Sequence, residues 1–108
     1  MQEPNTTEFT IKYHHRHDLR KWLRDNFDFV ESTPSRNYSP EHLNILKSRA
    51  NDILDACEQV ESIDLRVKSA YVDYYKMDWQ NIRDACNNKD FKKLGGSLAD
   101  LLTAIDWE

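Results

Sequence analysis

Apolar residues recur between Ser39 and Asn88 at alternating intervals of three and four, the spacing of one face of an α-helix. The stretch contains no glycine, and its single proline, Pro40, stands near its beginning. Beyond Tyr71 the pattern shifts by one residue, which is the drift that a straight helix shows against a strict seven-residue repeat. We therefore interpret the stretch as amphipathic helix of a globular protein. The apolar positions are Leu43, Leu46, Ala50, Ile53, Cys57, Val60, Val67, Tyr71 and Tyr74, and after the shift Val72, Tyr75, Trp79, Ile82 and Cys86.

The residues at Ser39 and Pro40 have the features of a helix N-terminus. Ser39 suits the N-cap position, and Pro40 suits the first helical position, where its missing N–H is no loss. Further along, Asp64 interrupts the apolar face, which favours a turn at that point. We therefore predict two antiparallel helices, at residues 40–60 and 63–87, with the turn between them.

A single continuous helix over residues 40–87 is the alternative, because no glycine marks a turn. Such a helix would be about 70 Å long at the usual rise of about 1.5 Å per residue. The remainder of one chain could not cover its apolar face. The protein would then be a homo-oligomer in which this helix mediates a dimer.

Two further helices and a loop complete a mainly α fold, a small bundle of about four helices in a single domain. Residues 14–26 have an apolar face and a cationic back, which predicts an amphipathic helix. Residues 31–39 are rich in Ser, Thr, Asn and Pro, which predicts a loop. Residues 90–107 predict the last helix. Within it, Gly95 and Gly96 either let a neighbouring helix approach closely or divide the element into a turn and a helix.

Ahead of the first helix, residues 6–13 alternate between apolar or aromatic and polar side chains, which predicts a short β-strand. A lone strand needs a hydrogen-bonding partner. That partner is either the weakly alternating residues 27–31, a second copy of the protein or the molecule that it binds. Residues 1–5 predict a disordered end.

The composition is that of an ordinary globular protein, with 39% hydrophobic and 31% charged residues. The net charge of −4 opposes non-specific binding to nucleic acid or to an anionic membrane. No stretch has the features of a secretory signal or of a membrane-spanning helix. We therefore predict a soluble, intracellular protein of the cytoplasm that does not bind membranes.

The two cysteines are predicted to be free thiols. In the predicted hairpin Cys57 lies opposite about residue 67, far along the helix from Cys86. Two α-carbons more than about 7 Å apart cannot be joined by a disulfide.

Positive charge is concentrated in the first helix. Residues 11–24 carry five cations and one acid, a net +4, whereas residues 25–108 carry ten cations and sixteen acids, a net −6. The basic helix (residues 12–24) could contact nucleic-acid phosphates or an acidic partner, or it could be balanced by the chain's own acids. The acidic remainder makes nucleic acid the weaker functional hypothesis. The candidate contacts are Arg16, Arg20, Lys21 and Arg24.

Two other groups are candidates for binding a partner protein. Four aromatic residues lie close together in two different registers of one helix, so they cannot all face a single narrow core. Tyrosine and tryptophan are frequent in binding hot spots. The second group is a run of acids at three-residue steps. The candidate residues are Tyr71, Tyr74, Tyr75 and Trp79, together with Asp52, Asp55, Glu58 and Glu61.

Enzymatic chemistry has little support in the sequence. His14 and His17 share a helical face, a spacing that can place two ligands on one metal ion, but two ligands do not make a site and arginines nearby repel a cation. Arg36 and His42 resemble the Arg-and-His pair of certain helical ribonucleases. In those proteins the pair typically lies on a helix, whereas here Pro40 separates the two. We predict no catalytic site, no cofactor and no metal.

The predicted function is therefore non-enzymatic binding to another protein. A small, acidic, glycine-poor helical domain suits an inhibitor, antitoxin, immunity or anti-defence role, in which an acidic surface can mask a partner's nucleic-acid site. Nucleic-acid binding through the basic helix and a structural, self-assembling subunit are the alternatives. The identity of the partner does not follow from the sequence.

Overall fold

The computed structural model describes Phe9 and residues 14–106, and 83% of this part of the chain is helical. The predicted mainly α bundle is thereby confirmed. Residues 1–5 lie outside the described residues, and so does the predicted strand at 6–13 apart from Phe9. The described helices are α1 (His15–Asn26), α2 (Phe29–Ser32), α3 (Pro40–Arg66), α4 (Tyr71–Tyr74), α5 (Lys76–Asn87) and α6 (Phe91–Asp106), with a 3₁₀ turn at Ser35–Asn37.

The C-terminal helix α6 lies at the centre of the bundle. It contacts α1, α2, α3, α5 and the 3₁₀ turn, so nearly every element packs against it. Its apolar side chains recur at helical spacing and are almost completely removed from water, which provides the largest continuous part of the core. None of the described helices combines the length and the apolar character that crossing a membrane requires. The core residues of α6 are Leu94, Leu98, Leu101, Leu102 and Ile105.

The helical hairpin is present, but the predicted turn between residues 60 and 63 is misplaced, and the predicted second helix at 63–87 is divided into α4 and α5. Helix α3 continues through Asp64 to Arg66, and the chain turns at residues 67–70. Asp64 does not end the helix because His15 and Arg16 of α1 meet its carboxylate inside the core. The described residues extend over at most 39 Å, so the alternative of one rod about 70 Å long is excluded.

The one-residue shift in the apolar pattern marks this turn and is not the drift of a straight helix. Up to Val60 the first register is the buried face of α3. After the turn, Tyr75, Trp79 and Ile82 of the second register are buried. Val67 and Tyr74, which continue the first register, are instead exposed. A change of register in a glycine-free stretch therefore located the turn more closely than the polar residue at position 64.

Lysine occupies the position where glycine usually ends a helix. Lys68 after α3 and Lys89 after α5 both have φ of 55°, the left-handed region that glycine adopts most easily. Behind α3, the N–H of Lys68 donates to the carbonyl of Leu65 and the N–H of Ser69 to that of Asp64. These two bonds form a Schellman motif, and the same pattern follows α5. No glycine marks the turn after α3 in the sequence, because Lys68 occupies the position where glycine is expected.

The Lys89→Gly variant is therefore expected to be more stable than the wild type by about 0.5–1 kcal/mol. Relief of the left-handed strain on a side chain exceeds the extra conformational entropy that glycine loses on folding. Urea unfolding followed by circular dichroism measures the change. Lys89→Ala is the matched control, because it removes the same charge but keeps the strain. A gain of equal size in both variants would refute the explanation.

The beginning of α3 is confirmed at Ser39 and Pro40. The Ser39 hydroxyl accepts from the His42 N–H (3.2 Å), and the Ser39 N–H donates to His42 Nδ1 (3.3 Å). Histidine thus replaces the usual Glu of a capping box. The predicted loop at 31–39 is only partly correct, because its first residues complete α2 and its middle forms the 3₁₀ turn.

Helix α6 passes through Gly95 and Gly96 without interruption, as in the first of the two predicted alternatives. The close neighbour is an aromatic ring and not a second helix. A Cβ on Gly95 would lie 2.7 Å from Tyr38 Cζ and still closer to Cε2 and Oη. Gly95 therefore provides the space in which Tyr38 packs against α6.

The prediction of two free thiols is confirmed. Cys86 Sγ lies 3.9 Å from the carbonyl oxygen of Ala50, seven residues before Cys57 on α3. Seven residues correspond to about 10.5 Å along a helix, too far for a disulfide. Burial raises the pKa of both thiols, which keeps them protonated and weakly nucleophilic.

Candidate protein-interaction surface

A buried ionic cluster connects α1 to the end of α3. Asp64 is 0% exposed and Arg16 is 3% exposed, and Arg16 Nη1 donates to Asp64 Oδ1 over 2.6 Å. The same carboxylate oxygen lies against His15 Nε2, and Arg16 Nη1 lies 3.2 Å from that ring nitrogen. A charge in the core is tolerated when an opposite charge and hydrogen bonds compensate for its lost hydration. The cluster thus explains how an aspartate can occupy the apolar face of α3.

The cluster also reaches the turn that follows α3. Arg16 Nη1 donates to Ser69 Oγ (3.4 Å), and its guanidinium carbon lies 4.1 Å from the centre of the Tyr71 ring. Ser69 Oγ accepts in turn from the Tyr71 N–H (3.1 Å). One side chain of α1 therefore contacts the end of α3, the turn and the first residue of α4. Cation–π and ionic contacts of this kind hold the turn in one geometry.

The large apolar side chains that are exposed within the described residues all lie near the turn after α3, in a region that we call the corner. They occupy residues 65–77, on both sides of the turn, and are between 42% and 69% exposed. Single exposed apolar side chains are ordinary, but a group of four in one short segment is typical of an interaction site. The corner surface consists of Leu65, Val67, Tyr74 and Met77.

Sequence reasoning singled out only part of the corner surface. Tyr74 was a candidate residue, and Val67 was assigned to the core. Leu65 and Met77 were not noticed, although both depart from the apolar register of their helices, which is the feature that could have identified them.

The four candidate aromatic residues are divided by the fold. Tyr75 and Trp79 are buried in the core and cannot contact a partner unless the bundle opens. Tyr71 is partly covered by Arg16, and Tyr74 is exposed with its ring 6.3 Å from that of Tyr71. The expectation that these residues do not all face one core is therefore correct, and Tyr74 is the one available to a partner.

The run of acids on α3 is largely engaged within the chain. Asp52 accepts from Arg49 Nε (2.8 Å), and both Glu58 and Glu61 pair with Arg83 of α5. These pairs fasten α3 to α5. Asp55 remains exposed on the same face. Their role as partner contacts stays a prediction.

The four candidate cations of the basic helix, as far as the structure describes it, are also paired inside the molecule. Arg20 and Arg24 both bind Asp106 at the end of α6, and Arg24 Nε donates to Glu31 over 2.5 Å. The Glu31 carboxylate raises the pKa of Arg24, consistent with a charge that is satisfied locally. Lys21 pairs with Asp25 one turn along α1 over 2.7 Å. Arg16 is buried, as described above.

Two of the histidines, His15 and His42, have structural roles. His42 caps α3, and its ring stacks on Phe29 with the ring centres 4.4 Å apart. His15 belongs to the buried cluster, whereas His14 is exposed and His17 is partly exposed. Within the described residues, no group of three or more His, Cys, Asp or Glu is placed to hold a metal ion. Arg36 lies exposed in the 3₁₀ turn.

A shallow groove of about 840 Å³ runs along the C-terminal half of α3. Asp55 and Glu58 lie at one part of it and Arg66 at another, and Ile63 contributes to its floor. This mixture of charges favours neither an anion nor a cation. The corner surface is the stronger candidate for binding.

Comparisons with protein-family models, with curated proteins and with solved structures found no match to this chain.

Proposed function

We propose that this protein is a non-enzymatic binding module that acts by docking the corner surface against a partner protein. The observation that supports it most directly is the exposure of four large apolar side chains within residues 65–77. Burial of apolar area contributes about 25 cal/mol per Å², so covering such side chains is a substantial source of affinity. Tyr74 and Met77 are residue types enriched in interfaces.

Preorganisation of the turn supports the same proposal. The corner surface extends from the end of α3 through the turn and α4 to the start of α5, and the connection between α3 and α4 is fixed by Arg16, Ser69 and the Schellman motif. A surface held in one geometry loses little conformational entropy on binding, which favours affinity. A small inhibitor, antitoxin, immunity or anti-defence protein would use a rigid surface of this kind.

Nucleic-acid binding through the basic helix has less support. Arg16 is buried, and Arg20, Lys21 and Arg24 each form an ion pair with a carboxylate of the chain. A phosphate would have to displace those carboxylates. Protein binding through the corner surface requires no such rearrangement.

A photo-crosslinking amino acid placed at position 77 tests the proposal in cells of the organism that encodes the protein. We expect p-benzoylphenylalanine at Met77 to yield a discrete crosslinked adduct with one partner protein. The same amino acid at Ser48, an exposed position of α3 far from the turn, is the matched control.

The adduct at position 77 should disappear when Leu65→Asp is introduced into the same chain. Leu65 is exposed, so this change should alter the free energy of unfolding by no more than about 0.5 kcal/mol. An adduct that forms equally well from position 48, or that survives Leu65→Asp, would contradict docking at the corner surface.

A further inference from the structure

Three exposed cations fall within residues 65–77, the segment that carries the corner surface. Arg66, Lys68 and Lys76 are exposed, and none of them forms an ion pair within the described residues. Asp73 is the one exposed carboxylate of residues 65–77, so three cations and one acid leave a local charge of +2. Asp64 adds no free charge here because Arg16 neutralises it in the core. The corner is thus a positive region on a protein whose net charge is −4.

In the folded molecule, the accessible positive charge does not lie where the sequence concentrates its cations. Arg20 and Arg24 of the cationic segment are neutralised by Asp106 and Glu31, whereas the corner lies in the part of the chain with a net charge of −6. Only the folded structure separates the paired cations from the unpaired ones. Once the paired cations are set aside, the corner is where unpaired cations and exposed apolar side chains occur in the same segment.

A second group of cations lacks this combination. Lys89, Lys92 and Lys93 are also exposed and form no ion pair within the described part of the chain. However, no exposed large apolar side chain lies among them. They provide a charge-matched control and not a competing site.

We propose that the partner segment that occupies the corner surface is acidic and carries large apolar side chains. This inference rests on the proposed function and specifies its partner. Apolar side chains of the segment would be buried against Leu65, Val67, Tyr74 and Met77, and its carboxylates would face Arg66, Lys68 and Lys76. Complementary charge at the rim of an apolar contact accelerates association and selects among partners.

The charge of the whole molecule argues against two other occupants. An anionic membrane surface would attract the corner but repel the rest of a chain with a net charge of −4. A second copy of the chain carries the same positive corner, so a symmetric contact between two corners would bring like charges together. An acidic protein segment meets neither difficulty, because it is small enough to contact the corner alone.

Binding of designed peptides to the whole protein tests the inference. The probe is a fluorescent 16-residue peptide with Leu at helical spacing and Glu at most other positions, and the comparison peptide has Lys in place of Glu. We expect the acidic peptide to bind at least about ten-fold more tightly than the basic one, measured by fluorescence anisotropy at low salt. Because charges at a rim are screened, this ratio should decrease between 50 mM and 300 mM NaCl, where the Debye length shortens.

Two charge-reversal variants identify the cations responsible. The Lys68→Glu/Lys76→Glu variant should lose or reverse the preference for the acidic peptide. The control Lys92→Glu/Lys93→Glu changes the net charge equally and should leave the preference unchanged. Both pairs are exposed, and urea unfolding verifies that the variants remain folded.

Some outcomes overturn only the inference, whereas assignment of the surface to a membrane would also contradict the proposed function. Equal binding of both peptides, or equal loss in both variants, would show that the positive corner does not select the segment. Co-sedimentation with vesicles containing one third phosphatidylserine would assign the surface to a membrane, and a mass that doubles with concentration in light scattering would assign it to a second copy. If a crosslinked partner forms at position 77 while the acidic peptide fails to bind, docking at the corner stands and the acidic partner is wrong.

Discussion

Replacement of Asp64 by alanine is expected to lower the free energy of unfolding by about 3–5 kcal/mol. The carboxylate is fully buried, and it is the counter-charge of Arg16, which is almost fully buried as well. Its removal leaves the buried Arg16 guanidinium without this counter-charge and takes away the carboxylate that His15 Nε2 contacts. A domain of this size has a stability of about 5–15 kcal/mol in total, so the loss is large. Urea unfolding at pH 7 measures it.

Removal of the whole ion pair should be much less harmful than removal of one half. Replacing a buried pair by apolar side chains of similar volume is often neutral, because the desolvation of both charges disappears with the pair. We therefore expect Arg16→Met/Asp64→Leu to recover at least half of the stability that Asp64→Ala loses. Asp25→Ala, which breaks the exposed pair with Lys21, should change stability very little, because water and salt screen an exposed ion pair. Similar losses for Asp25→Ala and Asp64→Ala would refute the buried cluster as the element that fixes the corner.

Replacement of Gly95 by alanine is expected to destabilise the fold, although alanine is the better helix former by about 1 kcal/mol. The added methyl group would overlap the Tyr38 ring, with Cζ only 2.7 Å away. That ring cannot move aside easily, because it packs edge-on against Phe29 and His42 at 5.5 and 5.8 Å between ring centres. Overpacking of this kind usually costs about 1–3 kcal/mol and sometimes more, so we expect a net loss in thermal or urea unfolding.

The adjacent glycine provides the control. A Cβ on Gly96 would lie 3.5 Å from Ser35 Oγ, an ordinary van der Waals distance. Gly96→Ala should therefore be stabilising by up to about 1 kcal/mol through helix propensity alone. Opposite signs for two neighbouring glycines in one helix are the expected result. Equal effects of the two substitutions would mean that Tyr38 does not require the space above Gly95.

The helical hairpin shows which parts of the fold the apolar pattern predicted. The apolar spacing predicted the two helices and their antiparallel arrangement, and the shift of register lay close to the true turn. The turn was predicted near residues 61–64, because a charged residue such as Asp64 normally interrupts an apolar helical face. That rule failed because the compensating groups, His15 and Arg16, come from a distant element of the chain.

The candidate site was less predictable for the same reason. Four aromatic residues in two registers indicated that some would be exposed, and Tyr74 is exposed. The sequence did not show that Tyr75 and Trp79 would be buried. It also placed the positive surface on α1, although each cation of that helix pairs with a carboxylate of the chain.

The sequence by itself determined the helical fold class, the beginning of α3 at Ser39 and the apolar faces, because these depend on residues within one or two turns of each other. The tertiary structure alone decided which charges are buried, which are neutralised and which remain at the surface. Arg16 and Asp64 are 48 residues apart in the chain, and Arg20 and Asp106 are 86 apart. Burial and ion pairing depend on such distant neighbours, so the location of the positive, apolar corner is a property of the folded molecule.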